Sequence, residues 1–260
     1  MIFGTKRCCR RSAFYVFRGK VTRLEKTKNR RGDGWFTALS MIWPARCPTC
    51  DRITQSRTKL CPNCAEENEE IGEACIGCGR PKEKCTCLKE ALDLDLAAVY
   101  PYQDGVRRAI QAMKFRERTD LFDFFSIKMA DRFRAVFPDA KVDLVAAVPM
   151  TRRDRKQRGY NQSAELAKRV AWQLGVKYEK HMLEKIKETA TQHTLSEKQR
   201  KKNVKGAFRV RPDVDLRGKT VLLCDDVKTT GATLNECRNV LLKSGAEEVW
   251  CVTIAVTVRE

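Results

Sequence analysis

The chain has 260 residues, 42% of them hydrophobic, which is enough for one ordinary domain plus a small module and excludes a chain disordered throughout. Its net charge of +19 favours nucleic acid or phosphorylated ligands as partners. No stretch approaches the ~20 apolar residues of a membrane span, and the N-terminal apolar run, residues 13–17, stops at Arg18. It is shorter than the roughly 7–15 residues of a secretory signal, so a reducing, cytoplasmic location is expected.

Residues 1–34 carry eleven basic and two acidic residues without steady periodicity. They read as a disordered extension, with a nucleic-acid-binding arm as the functional alternative. Met41 is an alternative start.

Residues 43–88 form a cysteine module. Its pairs are Cys47-x2-Cys50, Cys61-x2-Cys64, Cys75-x2-Cys78 and Cys85-x-Cys87. Two-residue spacing turns both sulfurs of a knuckle toward one ion, and two knuckles complete a tetrahedron. The segment has too few apolar residues to fold unstapled, so structural zinc is expected, as one ion or two. Disulfides are the alternative, disfavoured by the compartment. Cys224, Cys237 and Cys251 lie in apolar runs and read as core thiols.

From about residue 96 strands alternate with helices. Residues 97–102 read as a strand. Residues 104–114 read as a helix capped by Asp104, with Val106, Ile110, Met113 and Phe115 marking its apolar side. A helix over 121–136 is stopped by Pro138. Residues 142–148 form a short apolar run that suits a buried parallel strand. A helix over 161–174 closes near Gly175, and a strand over 220–224, a helix over 232–243 and a strand over 249–256 complete the pattern. The expected fold is a mostly parallel sheet with helices on both faces, occupying residues 96–260.

Residues 221–233 read Val-Leu-Leu-Cys-Asp-Asp-Val-Lys-Thr-Thr-Gly-Ala-Thr. An apolar strand delivers two adjacent carboxylates, Asp225 and Asp226, to the edge where open α/β sheets bind ligands. Thr229, Thr230, Gly231, Ala232 and Thr233 then form a turn whose N–H groups and hydroxyls can surround a phosphate at a helix N-terminus. This string resembles the phosphoribosyl pyrophosphate (PRPP) signature of type I phosphoribosyltransferases. The resemblance implies that the acids hold the ribose 2′ and 3′ hydroxyls and the turn holds the 5′-phosphate, with Mg²⁺ accompanying PRPP. Lys228 departs from the apolar residue usual there, and either contacts phosphate or points to solvent.

Two further segments are basic. Residues 148–163 form an edge loop after the strand 142–148, with Arg153, Arg158 and Gly159 placed to grip a pyrophosphate. Residues 189–208 are polar and basic and suit a movable cover, or hood, in which Thr191, Gln192, Arg200 and Asn203 are candidate ligand contacts and His193 is a tempting acid/base.

The cysteine pairs, Lys114-Phe115, Val148-Pro149, residues 158–162, Thr191-Gln192, Leu195-Ser196, Arg200, Asn203 and the 225–233 string occur in one order. The whole resembles the ComF family of competence proteins from about residue 43 to the C-terminus. That resemblance implies a phosphoribosyltransferase-like domain behind a zinc ribbon, a link to single-stranded DNA uptake in natural transformation, and a DNA-uptake helicase as partner. Two functional classes stay open. One is an enzyme in which Arg153 and Arg158 stabilise departing pyrophosphate while a nucleophile attacks the ribose anomeric carbon. The other is a single-stranded DNA-binding module with a ribose-phosphate sensor, using Tyr160, Phe115 or Trp172 as stacking platforms.

Overall fold

The computed structural model describes residues 44–54, 59–85, 87, 94–115, 118–187 and 203–258. The basic extension, Met41, Thr191, Gln192, His193 and Arg200 lie outside the described residues.

Five strands form one sheet in the order β1-β7-β6-β2-β3, with every neighbouring pair parallel. They are β1 (Leu96–Pro101), β2 (Leu144–Ala147), β3 (Lys177–Tyr178), β6 (Thr220–Lys228) and β7 (Glu248–Val256). A separate antiparallel pair joins β4 (Leu183–Lys185) to β5 (Phe208–Val210). The central strands β6 and β7 are buried on both faces, which is why their sequences run continuously apolar instead of alternating.

One face is covered by α2 (Asp104–Phe115), α3 (Asp120–Val136) and α5 (Gln162–Leu174), and its core includes Val99, Ile110, Phe125, Leu166, Leu222 and Ile254. The other face carries α6 (Ala232–Lys243) and the β4–β5 pair, with Leu223, Leu234, Leu241 and Cys251 at its centre. Local signals set the helix ends. Asn161 Oδ1 accepts from the Ser163 N–H at 3.0 Å, and Gly175, at φ 70°, closes α5.

The cysteine module holds α1 (Pro62–Glu67) and a 3-10 turn over Lys82–Lys84, and it packs against the sheet domain. Ile71 joins Ala98 and Val256 in a small buried cluster. Asn68 Oδ1 accepts from the Val106 N–H at 3.1 Å and so satisfies a first-turn donor of α2. Arg132 reaches from α3 to the carbonyls of Ala98 and Gly72 at 3.1 and 3.0 Å.

Four sequence expectations are corrected. The strand expected over 220–224 runs on to Lys228, because β7 continues beside it and pairs Val227 with Ala255 and Lys228 with Val256. Asp225 and Asp226 therefore lie within β6. The basic loop contains a helix, α4 (Arg152–Arg158), nucleated by Thr151, whose side chain accepts from the Asp154 N–H at 3.0 Å, and ended by Gly159 at φ 79°. Phe115 is 68% exposed and is not on the apolar side of α2. At about 100° per residue it lies opposite Val106, whereas Ile110 and Met113 do not. The strand expected over 142–148 is confined to Leu144–Ala147, the residues that pair with Val221 to Cys224 on β6.

Candidate functional site

The C-terminal end of β6 opens into a cavity of about 390 Å³. Asp225, Asp226, Thr229, Gly231 and Thr233 line one side, and Lys114, Gln111 and Arg107 from α2 line another. Gly231 is the N-cap residue of α6 with φ 81°, a left-handed conformation that a side chain would strain. Its carbonyl accepts from the Asn235 N–H at 2.8 Å, so the turn feeds directly into the helix. Thr230 is buried, and its hydroxyl accepts from the Ala232 N–H at 3.4 Å. The result is a polar turn at the positive end of a helix dipole.

The two acids are held differently. Asp225 Oδ1 accepts from Ser163 Oγ at 2.8 Å and from the Asp226 N–H at 2.9 Å. Desolvation and the neighbouring Asp226 charge outweigh these bonds and push the Asp225 carboxyl up to about 7. Asp226 Oδ1 accepts from the Val227 N–H at 2.6 Å, while its Oδ2 lies 2.5 Å from Lys114 Nζ. Burial disfavours the Lys114 ammonium, but the Asp226 and Asp225 carboxylates outweigh that and hold its pKa above the ordinary value.

Arg153, Arg158 and Gly159 are not among the residues lining this cavity. Arg158 lies 5.3 Å over the ring of Phe115, the residue after Lys114, so α4 flanks the cavity mouth. Asn203 is described and precedes buried Val204. Of the three aromatics, Tyr160 belongs to the core. It packs edge-on against Phe122 and its hydroxyl donates to the Met113 carbonyl. Trp172 is 78% exposed. Lys228 is 1% exposed, so it does not point to solvent.

Sequence reasoning quoted Lys114 only as part of a family string, without a role in the site, and named no role for Ser163, Arg107 or Gln111. A signal existed for three of them, because positions 107, 111 and 114 recur at helical spacing on one stripe that flanks the buried Val106–Ala109–Met113 side.

The eight module cysteines gather into two clusters, Cys47/Cys50/Cys61/Cys64 and Cys75/Cys78/Cys85/Cys87, with the four sulfurs of each within 4.8 Å of one another. Sulfur separations are 3.6 Å for Cys50–Cys61, 3.5 Å for Cys75–Cys87 and 3.9 Å for Cys78–Cys85. A tetrahedral ion with metal–sulfur bonds of about 2.3 Å places its sulfurs about 3.8 Å apart, so both clusters fit. Disulfide sulfurs would lie about 2.05 Å apart, and none of the eight cysteines forms a disulfide. Charge gives a second sign of fit. Burial disfavours the Cys47 thiolate, yet the Cys61 N–H and the Thr49 hydroxyl bring its pKa down to about 6, while burial and its cysteine neighbours push Cys64 up to about 12. Four such thiols ionise together only around a cation. Cys224, Cys237 and Cys251 are fully buried, and desolvation raises all three, as core thiols require.

Two domain models match the chain: a double zinc ribbon domain over residues 38–92 and a phosphoribosyl transferase domain over residues 160–260. The DNA utilization protein YhgH of Salmonella typhi is 31% identical over 216 residues, covering 79% of this chain and 88% of that protein. The chain belongs to the ComF/YhgH family. Competence protein F of Haemophilus influenzae is 28% identical over 204 residues (75% of this chain, 85% of that protein). Competence protein ComFC of Bacillus subtilis is 27% identical over 208 residues (72% and 79%). Among solved structures, adenine phosphoribosyltransferase of Saccharomyces cerevisiae is similar at 15% identity and a TM-score of 0.35, over 55% of this chain and 72% of that chain. That distance adds nothing to the topology described above. The ComF domain order thus stands in this chain as a cysteine module followed by a phosphoribosyltransferase-type α/β domain. No described helix is long and apolar enough to cross a membrane.

Proposed function

We propose that this ComF-family chain binds PRPP, as its magnesium complex, in the cavity at the end of β6. The observation that supports it best is one cavity lined by the Asp225–Asp226 pair and by the Gly231 turn at the start of α6. Adjacent carboxylates accept hydrogen bonds from two neighbouring ribose hydroxyls, and the residues 229–233 receive the 5′-phosphate with N–H groups and neutral hydroxyls. Arg153, Arg158 and Gly159 on the flanking α4 supply positive charge for the pyrophosphate. Thr191, Gln192, Arg200 and Asn203 belong to the cover that excludes water. As an enzyme, the site would transfer the 5-phosphoribosyl group of PRPP to a nucleophile, breaking the C1–O bond and releasing pyrophosphate.

Residues 43–88 are taken as the zinc-ribbon unit, with one zinc ion in each cluster, residues 96–260 as the PRPP-binding domain, and residues 1–34 as an extension. Thiolate clusters of this kind persist in a reducing cytoplasm. The relatives' names, DNA utilization and competence, support a role in handling DNA; single-stranded DNA in natural transformation as its setting, and a DNA-uptake helicase as partner, are what the family resemblance implies. A second reading, a non-catalytic DNA-binding module, is favoured by Phe115. Its exposed ring carries Arg158 beside the cavity, an arrangement on which a nucleobase stacks.

Thermal unfolding with added ligands tests the first reading. PRPP with Mg²⁺ should raise the unfolding temperature more than ribose 5-phosphate or pyrophosphate alone, and Gly231→Val should abolish the rise. Equal shifts from pyrophosphate and PRPP would reduce the site to a general anion pocket.

A further inference from the structure

The cavity at the end of β6 has a second wall, and the acids and the phosphate turn do not account for it. Helix α2 builds that wall with Arg107, Gln111 and Lys114, which share one stripe of the helix. Different contacts fix the two ends of the stripe. At the C-terminal end Lys114 pairs with Asp226, the Met113 carbonyl accepts from the Tyr160 hydroxyl, and the Phe115 ring lies 5.3 Å from the Arg158 guanidinium of α4. The N-terminal end follows β1. There the Tyr102 N–H donates to the Val256 carbonyl at 2.9 Å, and Val256 is in register with Lys228, the residue that precedes the phosphate turn. From Arg107 to Phe115 the helix rises about 12 Å, at about 1.5 Å per residue. The basic helix α4 therefore flanks one end of the wall, and Arg107 stands at the other.

The cations that line the cavity are Arg107, Lys114 and Lys228. Lys114 is engaged by Asp226, and Lys228 is buried. Arg107 is exposed, and among the described residues its guanidinium has no hydrogen bond or ion pair. Its charge is left for a ligand. The turn of residues 229–233 offers a phosphate only neutral donors, N–H groups and hydroxyls. A guanidinium on the facing wall supplies the charge that the turn lacks, in a fork that matches two phosphate oxygens.

We propose that Arg107 is a ligand of the 5′-phosphate, gripping from α2 the group that residues 229–233 hold from the start of α6. The assignment rests on the PRPP reading of the cavity. It adds a contact that selects a phosphorylated 5′ carbon over a bare hydroxyl, at the end of the wall away from the α4 arginines.

The full-length, zinc-loaded protein and its Arg107→Ala and Arg158→Ala variants are titrated by calorimetry with PRPP and Mg²⁺ and with ribose 5-phosphate. The Arg107 side chain has no partner to lose, so Arg107→Ala should unfold at the parental temperature. It should weaken both ligands by the same factor, about tenfold or more, and Arg107→Lys should recover part of the loss. Arg158→Ala should weaken PRPP and spare ribose 5-phosphate. Parental affinity for both ligands in folded Arg107→Ala would overturn the proposal. So would a loss confined to PRPP, which would put Arg107 on the pyrophosphate. If the parent binds neither ligand, the PRPP reading itself fails. Inorganic phosphate titrated into the parent and Arg107→Ala then decides whether Arg107 holds a phosphate: weaker binding in the variant keeps that contact, and equal or no binding removes it.

Discussion

Asp225 and Asp226 are adjacent carboxylates whose charges are handled by different neighbours. Lys114 pairs directly with Asp226, while Asp225 has Ser163, a backbone N–H and the weaker pull of the same Lys114 charge to oppose its burial. A carboxyl whose folded pKa, about 7, exceeds its ordinary value of 3.8 binds its proton more tightly in the folded state. It therefore favours the fold at low pH and costs stability progressively as pH rises through that window. Asp225→Asn should consequently raise stability at pH 8, by on the order of 1 kcal/mol, and leave it nearly unchanged at pH 4, as read by urea unfolding at both values. The same variant should lose ligand, the expected trade between stability and a strained site. In the parent, PRPP affinity should fall as pH drops below about 7, because protonated Asp225 loses its charge and accepts more weakly from a ribose hydroxyl. Lys114→Met leaves two uncompensated carboxylates in the cavity. It should weaken PRPP binding about tenfold or more and move the pH profile of affinity upward. A Lys114→Met protein with parental affinity and pH profile would remove Lys114 from the site.

The β6–turn–α6 unit was legible from sequence because its chemistry is contiguous. Apolar run, acids, threonines and glycine follow one another in residues 221–233, and the structure brings them to one cavity. The element α4 was less legible. A run of charges reads as a loop when only composition is weighed, but Thr151, Asp154 and Gly159 carried a helix start and stop. Thr151→Ala should cost about 1 kcal/mol in chemical denaturation by removing that cap. Because α4 carries Arg153 and Arg158, it should also weaken pyrophosphate-containing ligands more than ribose 5-phosphate. The pairing of Lys114 with Asp226 and of Ser163 with Asp225 was not legible for a different reason. Each sits on an element far from residues 225–226 in the chain, and no local pattern announces which helix end packs over which strand.

At the scale of the molecule, the cysteine module is part of the fold's covering and is not a tethered accessory. It packs on β1 and β7 through Ile71, caps α2 through Asn68, reaches α3 through the Lys128–Glu70 pair and reaches the turn before α3 through the Arg118–Asp51 pair. The Gly79 approach to Leu96 makes this docking sensitive to a single methyl group. Gly79→Ala combines a left-handed φ with a 2.9 Å contact, and should destabilise the protein by roughly 2 kcal/mol. Chelating the metal should lower the unfolding temperature of the whole chain in calorimetric scans and not produce a separate early transition. The central claim is the ribose-phosphate site, and equilibrium binding tests it most directly. The zinc-loaded protein is titrated with PRPP and Mg²⁺ by calorimetry beside a folded Asp225→Ala/Asp226→Ala variant. Saturable binding in the parent and its loss in the variant is the predicted result. No binding in a folded, metal-loaded parent, or equal binding in both proteins, would contradict it.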